Sequence, residues 1–537
     1  MVSLYKNENK PVYGCFVDFS KAFDSVDRTA LIYKLGCCGI RGKTLRLIQN
    51  MYDSAEYVIK NDGKFSLPIS SKFGVKQGCN LSPLLFNIFI NDLHEIFSSN
   101  CDPLDVDNWK INSLSFADDL VLLSETESGL KNCLASLERY CQEWGLRVNP
   151  DKTKVLVFNK PYTKNIKNLE FKIDGNPIAV TNSYTYLGVE ISNTLHFAKA
   201  TDALYKKGLK ALFGIYSCID VHADQNNIPL FLKLFDSLIK PIILYGSEVW
   251  GCSSTSLNGP INKFTNKFYR TLLGSRRCSS TAGIHCELGR SPIHVSIQQA
   301  MIKYWFRLIS LPENRLVSHC YRALPDGDVW CKTVESIVNS TGQYCVWSDQ
   351  KTIATQPKRS RRSLEKYICR TIDDLALQTY SEKIGTETKL SPLNDTKSMN
   401  QIANYLHHIK NRQKRTYFAQ MRLGTLELEI EKGRRFDVPR AERVCNVCNF
   451  NEVENAEHFI FECVALNSCR TKTINSICTL YPDFSNLSNN EKIRYLFFNE
   501  NLPPELVNLA ADLLFKLKIA RDAFNKNDVI SLINIGK

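Results

Sequence analysis

Apolar and polar positions change period along the chain, and the changes divide it. Val12-Tyr13-Gly14-Cys15-Phe16-Val17 is an apolar run ending at Asp18, which reads as a strand. Ser113-Leu114-Ser115-Phe116 and Leu120-Val121-Leu122-Leu123 are strand-like stretches separated by Ala117-Asp118-Asp119. They predict a tight hairpin whose tip carries two adjacent carboxylates. Leu130, Cys133, Leu134, Leu137, Cys141 and Trp144 recur at helical spacing, so 127–144 is predicted to be an amphipathic helix stopped by Gly145. Val155-Leu156-Val157-Phe158 reads as a further strand. Asp27 reads as the N-cap of a helix beginning near Arg28, and Ser82-Pro83 as the capped first turn of another, with a strand giving way to it at Gln77-Gly78.

The alternation of strand and helix patterns over 1–160 predicts an α+β fold. Residues 161–195 read as short strands around the turn Asp174-Gly175-Asn176-Pro177. From 196 to 325 the pattern turns helical. Residues 326–400 are polar, rich in Ser and Thr, and read as a linker or a loosely packed region; 401–537 read as a basic, helical, cysteine-bearing region.

A length of 537 residues calls for two or more domains. A net charge of +13 and a pI near 8.8 favour a polyanionic partner, nucleic acid before an acidic small molecule. Twenty scattered cysteines behind a polar start, Met1 to Lys10, predict reduced thiols in an intracellular compartment rather than a disulfide framework. No apolar run approaches the roughly 20 residues that span a bilayer. The richest, Ile228 to Tyr245, contains Lys233, Asp236 and Lys240 and reads as a buried helix pair.

A strand that delivers Asp18 beside the hairpin carrying Asp118 and Asp119 would build a carboxylate cluster. Hard oxygen ligands of this kind suit Mg²⁺. Two such ions about 3.5–4 Å apart stabilise both the attacking and the leaving oxygen of a phosphoryl transfer. The competing reading is a solvated acidic turn.

Five motifs in order resemble the reverse transcriptases of non-LTR (LINE-type) retrotransposons. Val17-Asp18-Phe19-Ser20-Lys21-Ala22-Phe23-Asp24 resembles their motif A, and Gln77-Gly78-Cys79-Asn80-Leu81-Ser82-Pro83 their motif B. Phe116-Ala117-Asp118-Asp119 resembles motif C, Gly145 to Lys154 motif D, and Tyr184-Thr185-Tyr186-Leu187-Gly188 the strand that follows. Pro241 to Trp250 and Glu287 to Pro292 are similar to the downstream region of the same elements.

The resemblance implies a right-hand polymerase palm over 1–160, an antiparallel sheet with helices carrying motifs A to D. Further strands follow over 161–195, and a mainly helical thumb and extension over 196–325 would hold the template–primer duplex. It implies RNA-directed DNA synthesis: transfer of dNTPs to a primer 3′-hydroxyl on an RNA template. Two Mg²⁺ ions, or Mn²⁺ in their place, would be held by Asp18 and Asp118, with Asp119 as a helper and the backbone carbonyl of Phe19 as a further ligand. Phe23 falls at the steric-gate position that rejects a ribose 2′-hydroxyl; its alternative is core packing. Gln77 and Gly78 would contact the nascent base pair and template, or only open a helix. Lys152 would approach the triphosphate and protonate the leaving pyrophosphate, or stand as a solvated charge. The family carries a fingers subdomain ahead of motif A, so the chain is expected to be truncated, beginning at the palm. A catalytically silent remnant that still binds RNA or DNA is the alternative.

Downstream, Cys445-x2-Cys448-x9-His458-x4-Cys463 has the ligand types of a closed structural Zn²⁺ site. Cys469 is a substitute ligand, and Arg443, Arg470 and Lys472 would be presented to nucleic acid. Lys410, Arg412, Lys414 and Arg415 beside Tyr417 and Phe418 could bind single strands through phosphates and stacking, or form a solvated helix face. The partners expected are an RNA template, a DNA primer or target and dNTPs, with no membrane. The expected setting is a cytoplasmic ribonucleoprotein with access to the nucleus, for which Lys358-Arg359-Ser360-Arg361-Arg362 could serve as an import signal. Oligomeric state is left open.

Overall fold

Alternating apolar side chains on three neighbouring strands organise the first part of the molecule. The computed structural model describes residues 1–97, 101–219, 227–254, 259–325, 327–396, 398–448 and 450–535. It divides into two units, Met1–Ala200 with Arg307–Thr333, and Thr201–Phe306 with Val334–Lys537.

In the first unit, β1 (Val12–Asp18), β2 (Ser113–Phe116), β3 (Asp119–Ser124), β4 (Lys154–Phe158), β5 (Phe171–Ile173) and β6 (Asn176–Thr181) form one sheet in the order β5-β6-β4-β1-β3-β2. Every pairing is antiparallel except β4 with β6, which is parallel. Side chains alternate between faces. Cys15, Val17, Leu120, Leu122, Val155 and Val157 pack into one core with the helices α1 (Arg28–Cys37), α2 (Ser82–Phe89) and α3 (Glu127–Trp144). Val12, Phe16, Val121, Leu123, Leu156 and Phe158 point the other way and pack with Tyr5, Leu104, Tyr184, Tyr186, Leu316, Cys320 and Ala323. A small hairpin of β7 (Ser183–Tyr186) and β8 (Val189–Ser192) supplies the two tyrosines.

Local signals explain the helix ends. Asp27 accepts a hydrogen bond from the Ala30 amide at 3.0 Å and caps α1. Gly145 closes α3 with φ +71°, a conformation that favours glycine. Ser82 does not cap α2: its hydroxyl donates to the Lys76 carbonyl at 2.5 Å, the N-cap position falls on Leu81, and 71–81 is loop rather than strand.

The second unit is helical among its described residues. It includes α4 (Ala198–Cys218, whose first residues lie in unit one), α5 (Pro260–Leu273), α6 (Thr281–Leu288), α7 (Lys358–Thr386), α8 (Arg412–Arg422), α9 (Asn467–Leu480) and α10 (Pro504–Ile535). The stretch 326–400, read from sequence as linker, instead contains the 29-residue α7. Its buried stripe, Ile368, Cys369, Ile372, Leu377, Tyr380 and Ile384, has helical spacing. That stripe is thin and set among polar residues, so composition concealed it. Residues 228–243 run as consecutive helical segments rather than a helix pair, 244–246 form a turn, and the stretch contributes buried Phe231, Phe235, Ile239 and Ile243.

The buried Arg422 of this unit is paired with carboxylates. The guanidinium of Arg422 donates to both carboxylate oxygens of Glu287 at 2.9 and 3.0 Å, to Glu500 at 2.6 Å and to the Phe497 carbonyl at 2.6 Å. Arg422→Met would leave Glu287 and Glu500 without their counter-charge. Unfolding in urea should show a loss of about 3–5 kcal/mol, and Arg422→Lys, which keeps a cation, a smaller one.

Candidate active site

The register of the sheet decides which carboxylates meet. Asp18, the last residue of β1, lies directly opposite Asp119, the first of β3. Both have the parity of Phe16 and Val121, so they share the face on which Tyr184 and Tyr186 pack. Phe16 stacks on Tyr184 with ring centroids 4.8 Å apart. Phe116 pairs with Asp119, which leaves Ala117-Asp118 as a two-residue turn. Ala117 has φ +53° where such turns favour glycine. The turn carries Asp118 at the tip, beside the Asp18–Asp119 pair.

A loop clamps the end of β1. The Asp18 amide donates to Thr153 Oγ1 at 3.2 Å, the Asn149 amide to the Asp18 carbonyl at 2.8 Å, and the Ser20 amide to the Arg147 carbonyl at 2.8 Å. Phe19 bridges to Val148. Asn149 Oδ1 accepts from the Asp151 and Lys152 amides, folding the loop so that Lys152 Nζ lies 3.7 Å from Asp18 Oδ2. Thr153 is fully buried. Sequence reading passed over it, and its only signal was a small hydroxyl residue at the start of a strand.

A second clamp joins the segment after Asp18 to the loop before α2. The Val75 amide donates to the Phe23 carbonyl and the Gly74 amide to the Val26 carbonyl. Gly74 has φ +86°, and a Cβ there would stand 3.2 Å from the Asp24 carbonyl oxygen. Gln77 Nε2 donates to Asp24 Oδ1 at 2.9 Å, which gives Asp24, unassigned from sequence, a place. Phe23 is half-buried and stacks on Phe86 at 4.7 Å. Gly78 has φ +78° and open space where a Cβ would stand, so conformation rather than crowding favours glycine.

The cluster is electrostatically unsatisfied. Burial, then Asp118, then Asp18, push the Asp119 carboxyl above its usual range. Burial, then Asp18 and Asp119, raise the Tyr184 hydroxyl. Lys152 is largely exposed, so its screened charge offsets little of the repulsion. The donor set, clustered hard carboxylates, fits Mg²⁺.

The other candidate centre lies in the second unit. Cys445, Cys448, His458 and Cys463 are buried, with ligand atoms all within 4.8 Å of one another. Cys445 Sγ and Cys463 Sγ are 4.0 Å apart, and Cys448 Sγ and His458 Nε2 3.3 Å. A tetrahedron with Zn–S bonds of about 2.3 Å has S–S edges of about 3.8 Å, so the four donors fit zinc. Burial pushes the Cys445 thiol up to about 12 and raises that of Cys463; a dication would offset that cost. Cys469 is not among the four donors brought together. His458 Nδ1 is flanked by Glu452 at 3.8 Å and Glu462 at 4.0 Å. Arg470, read from sequence as presented to nucleic acid, is buried and donates to the Cys463 carbonyl. Arg443 likewise donates to the Val438 and Ile430 carbonyls. These two side chains hold the element together. From α10, Arg521 forms a buried pair with Glu454 at 2.5 Å, inside the same loop.

The cluster at 410–415 is also partly structural. Arg415 is buried on the Ile409 and Lys410 carbonyls, Lys414 pairs with Asp512 at 2.5 Å, and Phe418 packs on Tyr405.

Residues 2–191 match the reverse transcriptase (RNA-dependent DNA polymerase) family. The chain is 23% identical over 307 residues to the RNA-directed DNA polymerase from mobile element jockey of Drosophila funebris, covering 56% of this chain and 32% of that protein. It is 31% identical over 188 residues to the Pol polyprotein of the type-1 retrotransposable element R2 of Popillia japonica, covering 33% and 30%. Among solved structures, apo telomerase from Candida tropicalis aligns over 69% of this chain and 55% of that one, at 14% identity and a TM-score of 0.29. The chain spans about a third of the length of the curated relatives it matches. The matched segment resembles the polymerases of non-LTR retrotransposons.

Two outcomes follow from the charges. Asp119, with its pKa raised by folding, stabilises the metal-free fold only while protonated, and that contribution is lost as pH rises through its folded pKa. Asp119→Asn should therefore raise the melting temperature of the metal-free protein at neutral pH, with the gain fading as pH falls toward about 4. Elemental analysis should find stoichiometric zinc in the purified protein, lost in Cys448→Ser with a fall in melting temperature.

Proposed function

We propose that the chain is an RNA-directed DNA polymerase of the non-LTR retrotransposon type, which adds dNTPs to a primer 3′-hydroxyl on an RNA template. The observation that carries this reading is the placement of Asp18 opposite Asp119, with Asp118 on the adjoining turn, inside a segment matching the reverse transcriptase family. Asp18 and Asp118 hold two Mg²⁺ ions, or Mn²⁺, with Asp119 supporting them and the Phe19 carbonyl as a further ligand. The ions supply charge neutralisation at the attacking and leaving oxygens.

In the step itself, the primer O3′ forms a bond to the α-phosphorus while the α-phosphorus–oxygen bond to pyrophosphate breaks. The hydroxyl proton leaves to solvent, and Lys152 delivers a proton to the pyrophosphate oxygen. The Asn149 turn, which brings Lys152 Nζ to 3.7 Å from Asp18 Oδ2, supports that role. Phe23, backed by Phe86, lies under the sugar and excludes a 2′-hydroxyl. Gln77, steadied by Asp24, and Gly78 contact the nascent base pair. The Cys445–Cys448–His458–Cys463 element holds zinc structurally. The partners are template RNA and a DNA primer or target, in a cytoplasmic ribonucleoprotein that enters the nucleus. The exposed side chains of Lys358, Arg359 and Arg362 in the first turns of α7 are available to an import receptor. No observation favours the silent-remnant alternative.

The test is Mg²⁺-dependent primer extension on an RNA template. Asp118→Ala/Asp119→Ala should lower the rate by on the order of 10³-fold or more, since several kcal/mol of charge stabilisation is withdrawn. No incorporation by a folded parent chain would sink the reading.

A further inference from the structure

Two buried arginines of the second unit are matched by carboxylates, Arg422 by Glu287 and Glu500 and Arg521 by Glu454 and Glu429, and the buried Arg470 rests on the Cys463 carbonyl. One cavity of that unit instead gathers several cations together. It has a volume of about 980 Å³, and its lining includes Lys263, Lys267, Arg270, Arg277, Lys383 and Arg412 with no Asp or Glu. Lys263, Lys267, Arg270, Arg277 and Lys383 make no ion pair with a carboxylate among the described residues. These five like charges around one cavity repel one another unless an anion joins them.

The helices explain how the charges gather. The face of α5 carrying Ile261, Phe264, Phe268 and Leu272 is buried, and the opposite side presents Lys263, Lys267 and Arg270. Lys263 to Lys267 is a rise of about 6 Å and Lys267 to Arg270 about 4.5 Å, of the order of the separation between neighbouring phosphates on one strand. After Gly274 reverses the chain with φ +63°, Arg277 joins the rim. The N-terminus of α6 opens at the same cavity through Ser280, Thr281 and Ala282. The Ser280 hydroxyl does not cap that helix; it donates to Glu387 at 2.6 Å, and Glu387 is itself 3.4 Å from Lys389. Uncapped first-turn amides favour an anion. Arg270 spends one Nη on Thr281 Oγ1 at 2.8 Å, while its Nε is buried and has no hydrogen-bond partner.

We propose that this cavity binds the phosphodiester backbone of a nucleic-acid strand, at a site separate from the carboxylate cluster. Its size lies at the upper end for ligand clefts and exceeds what one phosphate fills. Its cations are forks and point charges suited to phosphate. The lining offers a single aromatic ring, Tyr380, and Lys383 Nζ already lies 5.6 Å from its centroid. Backbone is therefore gripped without base stacking, and binding is independent of sequence. The choice of nucleic acid over another polyanion rests on the polymerase reading.

The test compares two variants of the full chain with the same loss of charge. Lys263→Gln/Lys267→Gln/Arg277→Gln removes exposed, unpaired cavity cations. Lys351→Gln/Lys366→Gln/Arg370→Gln removes exposed cations of the same unit outside the cavity lining. Fluorescein-labelled single-stranded RNA, the same sequence as DNA, and inorganic tripolyphosphate are titrated in EDTA between about 50 and 200 mM salt, with matched melting temperatures confirming folding. The cavity variant should lose at least about tenfold in affinity for a strand, and its log K against log salt slope should flatten by about 2, three contacts at about 0.7 each. The control variant should change little. RNA or DNA, whichever shows the larger change in slope, is the strand held there. Equal losses in both variants, no loss in the cavity variant, or tripolyphosphate binding without strand binding would overturn the proposal. A chain that binds strands but extends no primer sinks the polymerase reading alone; one that extends primers while the cavity variant binds normally sinks the cavity alone.

Discussion

Antiparallel pairing of β1 with β3 sets two carboxylates face to face, and packing has to hold them there. Like charges directly opposite on neighbouring strands cost on the order of 1 kcal/mol or less. Against this, Cys15, Val17, Leu120, Leu122, Val155 and Val157 lie behind the pair in a common core, and a fully buried aliphatic side chain of this size contributes roughly 1.5–3 kcal/mol. The balance favours the register by a wide margin. A slip of one residue would exchange that set for Val12, Phe16, Val121, Leu123, Leu156 and Phe158, which pack on the opposite face, so the fit of each set to its own partners, not burial alone, aims the carboxylates. The Thr153 and Asn149 contacts then fix the last residue of β1, where a free strand end would fray.

The chain manages charge in two ways. Where Arg422 and Arg521 are buried they meet carboxylates on other elements, and removing either partner would strand the other. Where Asp18, Asp118 and Asp119 meet, and where the lysines and arginines of α5 gather, like charges are left together. Pairing with carboxylates, or for Arg470 with a backbone carbonyl, is architectural, and the two proposed ligand sites are where like charges stay together. The Cys445–Cys463 element shares both characters: its donors face one another, while Arg470, Arg443 and the Arg521–Glu454 pair brace the loops that carry them.

How much of this could be read in the sequence follows from the range of the interactions. The short apolar runs of β1, β3 and β4, the α3 stripe, the Gly145 stop and the Asp27 cap are local, and the structure has them where the pattern predicts. The α7 helix escaped because its buried stripe is sparse within a polar segment. The parallel pairing of β4 with β6 and the Asp24–Gln77 bond depend on partners distant in sequence, which no local pattern encodes. The same limit explains the inward turn of Arg470 and Arg415: a basic side chain reads the same in sequence whether it meets solvent or a backbone carbonyl. Spacing alone did anticipate the four donors at 445–463, because ligand sets of this kind are nearly local.

The first unit is not continuous in sequence. Residues 307–333 return to it after the helices that begin at 201, and Leu316, Cys320 and Ala323 pack against the sheet face that carries Phe16 and Val121. His319 also reaches the Val106 carbonyl at 2.9 Å and stacks on Trp109. A fragment cut where the family match ends, at residue 191, would therefore keep all three carboxylates yet leave that apolar face partly bare, and bare apolar faces of this kind drive aggregation. During synthesis more than a hundred residues follow residue 191 before the segment that completes the cover of this sheet face is made.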